Sequence, residues 1–183
     1  MGLLFLRGAR NVHTLNIIVS KTDTLIGAGI RLVLGGEYNH TSIAFDYNFD
    51  LIYSFTRRYK HLWISGCFCN ESLNRFEEYV VFSLAISDME YDKINKFLQI
   101  LEKHYRIYNY VSALCLYFNK PAPTRLSFTC STFTAYILSL TDNYKLEKDF
   151  KVYTPMLIFN ELTSNGCKYD KYNRGLVNKT HTV

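Results

Sequence analysis
The alternation from His40 to Asp46 constrains this chain most. His40, Ser42, Ala44 and Asp46 fall on one side of an extended backbone, and Thr41, Ile43 and Phe45 on the other. That is the two-residue repeat of a half-buried strand. Tyr47-Asn48-Phe49-Asp50 reads as a turn, and Leu51 to Phe55 as the return strand of a hairpin. A lone hairpin is marginal in water, so other segments must extend it into a sheet and cover it.

Those segments are present. Leu15 to Ser20 reads as a buried strand, with Ile17, Ile18 and Val19 in a row, and Tyr79 to Ile86 as another. Thr22-Asp23-Thr24 is a helix start, and the short helix it opens stops at Gly35-Gly36. Ser87-Asp88-Met89-Glu90 caps a helix whose buried stripe is Ile94, Phe97, Leu98 and Leu101. Tyr110 to Phe118 is a second apolar helix, ending before Pro121 and Pro123. A further helix follows Cys130, and Thr154-Pro155 opens a last short one. Residues 56–78, with Gly66 and Cys67-Phe68-Cys69, read as a long loop. Residues 164–183 are polar and rich in Asn, Lys and Tyr, and read as a loose tail. Helices and antiparallel strands together give the α+β class. The 183 residues fit one domain, its core spanning about residues 14–160.

Composition narrows the functional classes. Hydrophobic residues make up 48% and charged residues 20%, enough to bury a core and too few charges for wholesale disorder. The net charge is +5, but outside Arg57-Arg58-Tyr59-Lys60 the basic residues are scattered, which argues against a nucleic-acid partner. Five cysteines are an odd number for a disulfide framework. Cys67 and Cys69 are too close together for a zinc knuckle and lack a second Cys/His pair nearby. Reduced thiols and a cytoplasmic setting follow, with no metal or other cofactor. Met1 to Arg7 is too short for a signal core. No stretch reaches the ~18 apolar residues of a membrane span, so a soluble protein is expected.

One cysteine stands in a chemically special place. Cys130 falls at the start of its helix, where backbone N–H groups are unpaired and the helix dipole is positive. Both favour a thiolate, which is the nucleophilic form, and the same N–H groups can hold an oxyanion. A thiol nucleophile needs a base. Of five histidines, His40 is the best placed, opening a strand just after a glycine-rich loop. His13 and His181 lie near the ends, His61 in the long loop and His104 at a helix end. A third group should orient the imidazole. Ser54, fourteen positions after His40 on the hairpin's return strand, is the candidate, and Asp46 lies too far along, at the turn. Tyr38, Thr129 and Ser131 are candidates for the substrate groove. The competing readings are a small buried cysteine, a strand-edge serine and a packing tyrosine.

The pattern resembles a known family. Gly35-Gly36-Glu37-Tyr38-Asn39-His40-Thr41-Ser42-Ile43-Ala44 followed by Leu51-Ile52-Tyr53-Ser54-Phe55 resembles the first half of the circularly permuted NlpC-type papain-like hydrolases (YiiX-like). Phe128-Thr129-Cys130-Ser131-Thr132-Phe133-Thr134-Ala135-Tyr136-Ile137-Leu138 resembles their nucleophile helix, and Thr154-Pro155 the threonine-proline that follows it. His40 precedes Cys130 by 90 positions, and that order marks the permuted group. The resemblance implies an antiparallel sheet carrying the histidine, packed against the cysteine helix. It implies cleavage or transfer of an amide or ester acyl group through a Cys130 thioester, with hydrolysis of a peptide or isopeptide amide the first reading. Two alternatives are a thiol acyltransferase or lipase of the lecithin retinol acyltransferase type, and a binding module that keeps the fold without turnover. Many permuted members carry an acidic or amide residue where Ser54 stands.

Overall fold
The structure, a computed structural model, describes residues 12–22, 36–57, 66–103, 115–116, 118, 120–121, 128–144 and 146–174, with the backbone alone for Arg57, Gly66 and Cys67. They form an α+β fold: a six-stranded antiparallel sheet and three helices among the described residues. The strands are β1 (Val12–Thr22), β2 (His40–Ala44), β3 (Ile52–Arg57), β4 (Gly66–Glu71), β5 (Phe76–Ser87) and β6 (Tyr169–Asn173), in the spatial order β4-β3-β2-β1-β5-β6. The helices are α1 (Asp88–Lys103), α2 (Cys130–Ser139) and α3 (Pro155–Ser164).

The unbroken apolar run in β1 has a physical cause. β1 lies inside the sheet between β2 and β5, and both of its faces are covered, so alternation is not required of it. Ile17 and Val19 join the larger core with Ile43, Phe55, Val80 and Phe82 and the helices. Ile18 joins a smaller cluster with Ala44, Ile52, Phe76 and Val81 on the opposite face.

The helices begin where the sequence signals them. Ser87 and Glu90 cap α1 reciprocally: Ser87 N–H donates to Glu90 Oε2 at 2.6 Å, and Glu90 N–H to Ser87 Oγ at 3.4 Å. Ile94, Phe97, Leu98 and Leu101 are its buried stripe. Thr154 caps α3 and Pro155 occupies its first turn. An aromatic cluster fixes α2 against β3 and β4. Phe55 lies 5.5 Å, centroid to centroid, from both Phe128 and Phe133, and Phe68 lies 5.6 Å from Phe133. Each fully buried ring contributes roughly 1.5–3 kcal/mol, so the start of α2 is firmly placed over the hairpin.

Two expectations are corrected. Residues 56–78 are not one long loop: they contain β4, a short 3-10 turn at Leu73–Arg75 and the first residues of β5. Residues 164–183 are not wholly a loose tail: Tyr169–Asn173 pairs along β5, from Glu78↔Asn173 to Phe82↔Tyr169. The helix expected between Thr22 and Gly36, most of that from Tyr110 to Phe118, and His61, His104 and His181 lie outside the described residues. No described helix is long and apolar enough to cross a membrane.

Candidate active site
The start of α2 is held by its own side chains. Thr129 is the N-cap: its Oγ1 accepts from Thr132 N–H at 3.2 Å, while Thr129 N–H donates to Thr132 Oγ1 at 2.9 Å. Cys130 is the first residue of the helix and is buried. The N–H groups of a first helical turn have no partner within the helix. The Thr129 cap takes that of Thr132, which leaves those of Cys130 and Ser131 at the helix end. One turn on, Thr134 Oγ1 donates to Thr41 Oγ1 at 3.0 Å, tying α2 to the residue after His40.

His40 opens β2 and is also buried. The backbone leading to it is clamped on several sides. Asn39 Oδ1 accepts from Thr22 N–H at 2.9 Å, and Asn39 N–H donates to Ser20 C=O at 3.1 Å. Tyr38 packs on Phe159 of α3 at 5.2 Å. Gly36 approaches Met156 so closely that a Cβ there would lie 2.2 Å from Met156 Cγ.

The imidazole Nε2 lies 2.7 Å from Glu71 Oε1. The Cys130 side chain is near enough to the ring to contribute to its raised pKa. Ser42 Oγ donates to the same Glu71 oxygen at 2.7 Å. Arg75 approaches Glu71 Oε2 at 3.8 Å. The Glu71 side chain is 1% exposed, so this carboxylate is compensated by a ring, a hydroxyl and a guanidinium rather than by water.

The charges of the site follow from this packing. Burial alone would push the His40 imidazole down; the charges of Glu71 and Cys130 and the hydrogen bonds to both outweigh it and raise its pKa to about 10. Burial alone would push the Glu71 carboxyl up; His40 and the neighbouring hydroxyls outweigh it and hold it below its usual range. At neutral pH the pair is therefore imidazolium and carboxylate, with the sulfur of Cys130 next to the cation.

The residue that pairs with the His40 ring is Glu71, and not Ser54 as the hairpin spacing suggests. Ser54 is fully buried on β3. Its hydroxyl stands close enough to Glu71 to help lower that carboxyl, yet makes no well-formed hydrogen bond among the described residues. The β2–β3 ladder pairs Ile43 with Tyr53 and Ala44 with Ile52. Continuing that register sets Ser54 beside Ser42, not beside His40. Glu71, on the next strand out, reaches across the gap. Cys130 and His40 are brought together, and Thr129 and Ser131 flank Cys130 along the chain, their hydroxyls 3.3 Å apart. Tyr38 is 4% exposed and sits in the core beneath the His40 strand. Among the described residues no group of three or more His, Cys, Asp or Glu side chains is arranged to hold a metal ion.

Comparison with protein-family models, with curated proteins and with solved structures finds no match to this chain. A sulfur at a helix N-terminus, an imidazolium near it and a buried carboxylate paired with the ring are brought together at one end of the sheet.

Proposed function
We propose that the chain is a thiol acyl-transfer enzyme that hydrolyses an amide, peptide or isopeptide, through a Cys130 thioester. The observation that carries this reading is the buried His40 imidazole paired with the Glu71 carboxylate at 2.7 Å, with Cys130, at the head of α2, near enough to act on the ring's pKa. The order of histidine before cysteine, and the cysteine helix packed on the sheet that carries the histidine, support a permuted papain-like arrangement.

The steps follow from the groups. The Cys130 thiolate attacks the carbonyl carbon, and the oxyanion is met by the N–H groups at the start of α2. The carbon–nitrogen bond breaks as His40 gives its proton to the departing amine. A water molecule then loses a proton to His40 as its oxygen attacks the thioester carbon. The carboxylic acid leaves, and the Cys130–His40 pair is restored. Glu71 keeps the ring turned towards the sulfur and stabilises its positive charge.

An acyl-trapping experiment tests the reading. The protein is mixed with a panel of activated ester and amide acyl donors, and its intact mass is followed with time. An acyl adduct that maps to Cys130, decays in the wild type and does not form in Cys130→Ala supports it. The absence of any Cys130 adduct across the panel, with the protein folded, contradicts it.

A further inference from the structure
The five residues of β6 are all exposed, yet the strand reaches the His40 end of the sheet from both faces. On the face covered by the helices, Lys171 bridges two acids. Its Nζ lies 3.4 Å from Oε1 of Glu37, three residues before His40, and pairs also with Glu78 of β5. Beside it Tyr169 packs on Phe159 at 5.5 Å, and Phe159 on Tyr38 at 5.2 Å. On the other face Tyr172 stacks on Tyr79 at 4.9 Å and 13°. Tyr79 meets Phe76 at 5.9 Å, and Phe76 meets the His40 ring at 5.9 Å. Two lines of contact thus leave one strand and end at one imidazole. One runs through the backbone that carries the ring, the other through the ring's own neighbour.

We propose that β6 is a positioning element of the thiol site, in which Lys171, through Glu37, and Tyr172, through Tyr79 and Phe76, set where the His40 imidazole stands relative to Cys130. The proposal rests on the thiol reading above. Small displacements of a reacting pair cost rate out of proportion to their size, whereas β6 adds little apolar burial of its own. Its removal from the β5 edge therefore loosens the site more than it loosens the fold.

Iodoacetamide alkylation of Cys130, located by peptide mass spectrometry and followed as a function of pH, tests this in the full chain. Lys171→Ala and Tyr172→Ala are each expected to slow the reaction roughly threefold to fivefold, the effect of losing one partly exposed contact, and to move the profile to higher pH. Lys171→Arg restores both rate and profile. Lys96→Ala, which removes an equal charge from exposed α1, behaves as wild type. His40→Ala separates the two ideas. If it slows alkylation while Lys171→Ala and Tyr172→Ala leave rate and profile unchanged, the positioning proposal is overturned and the thiol reading stands. If His40→Ala does not slow alkylation, the thiol reading itself fails. A lower rate with an unmoved profile that Lys171→Arg does not recover marks a purely structural strand and also overturns the proposal.

Discussion
Nε2 of His40 lies 2.7 Å from Oε1 of Glu71, a residue 31 positions later and two strands away. Neither group would be stable alone at this depth. The carboxylate has almost no exposed surface, and leaving a buried charge unpaired costs several kcal/mol. Each is charged because the other is, and the nearby Cys130 side chain adds to the upward shift of the imidazole.

Glu71→Gln keeps the shape of the side chain and removes its charge. The imidazolium then loses its main counter-charge, and the His40 pKa falls from about 10. One pKa unit corresponds to about 1.4 kcal/mol, so Cys130 alkylation at neutral pH is expected to slow about tenfold or more. An unchanged rate in the folded variant would mean that the carboxylate does not act through the ring.

The pair also sets a pH window for stability. The folded-state pKa of His40 is raised from 6.5 to about 10, so its contribution is fully present below pH 6.5 and is lost as pH rises towards 10. The folded-state pKa of Glu71 is lowered from 4.5, so its contribution is present above that value and is lost as pH falls through the lowered pKa. The stability advantage of wild type over Glu71→Gln should thus be greatest between pH 4.5 and 6.5 and decline on both sides. Thermal melts of the two proteins over a pH series measure it, and a difference that does not vary with pH would count against the ion pair.

Gly36→Ala forces a methyl group to within 2.2 Å of Met156 Cγ. Either the His40 approach or Met156 must move, at an expected cost of about 1–3 kcal/mol. Urea unfolding reads this directly. Adding Met156→Ala to Gly36→Ala should recover part of the loss, and strictly additive losses would show that the two residues do not meet.

Thr129→Ala removes the N-cap of α2 and half of its reciprocal pair with Thr132. About 1 kcal/mol of stability should be lost. Thr132→Ala breaks the same motif, so the double variant should cost less than the sum of the two. Additive costs in chemical denaturation would argue that the cap acts through one side chain only.

The parts of the fold legible in the sequence are those set by local chemistry. β1, β2 and β3 follow from apolar runs and alternation, the start of α1 from the Ser87–Glu90 cap, and that of α3 from Thr154-Pro155; the helix start expected at Cys130 is that of α2, and its Thr129 cap was not read from the sequence. β4 was not legible. Gly66-Cys67-Phe68-Cys69-Asn70-Glu71 has a glycine start, a polar end and no β-branched residue, and it is a strand because β3 offers it an edge. Glu71 was missed with it, since no local spacing links it to His40. β6 was missed for the same reason. All five of its residues are exposed, and the edge of β5 supplies what their polarity does not.

Ser54 shows how a correct hairpin can still mislead. The return strand was expected at Leu51 to Phe55 and lies at Ile52–Arg57. Its register sets Ser54 level with Ser42 rather than His40, and a register cannot be fixed from alternation alone. The place expected for an orienting group is instead the gap that Glu71 crosses.

The most direct test of the central claim is the alkylation rate of Cys130 compared with those of Cys115 and Cys167 in the same folded protein, in the wild type and in His40→Ala. If Cys130 is the nucleophile set beside the His40–Glu71 pair, it should react well ahead of both other thiols and should lose that lead in His40→Ala. If Cys130 reacts no faster than Cys115 or Cys167, and His40→Ala changes nothing, the three residues form a structural cluster and not a catalytic one.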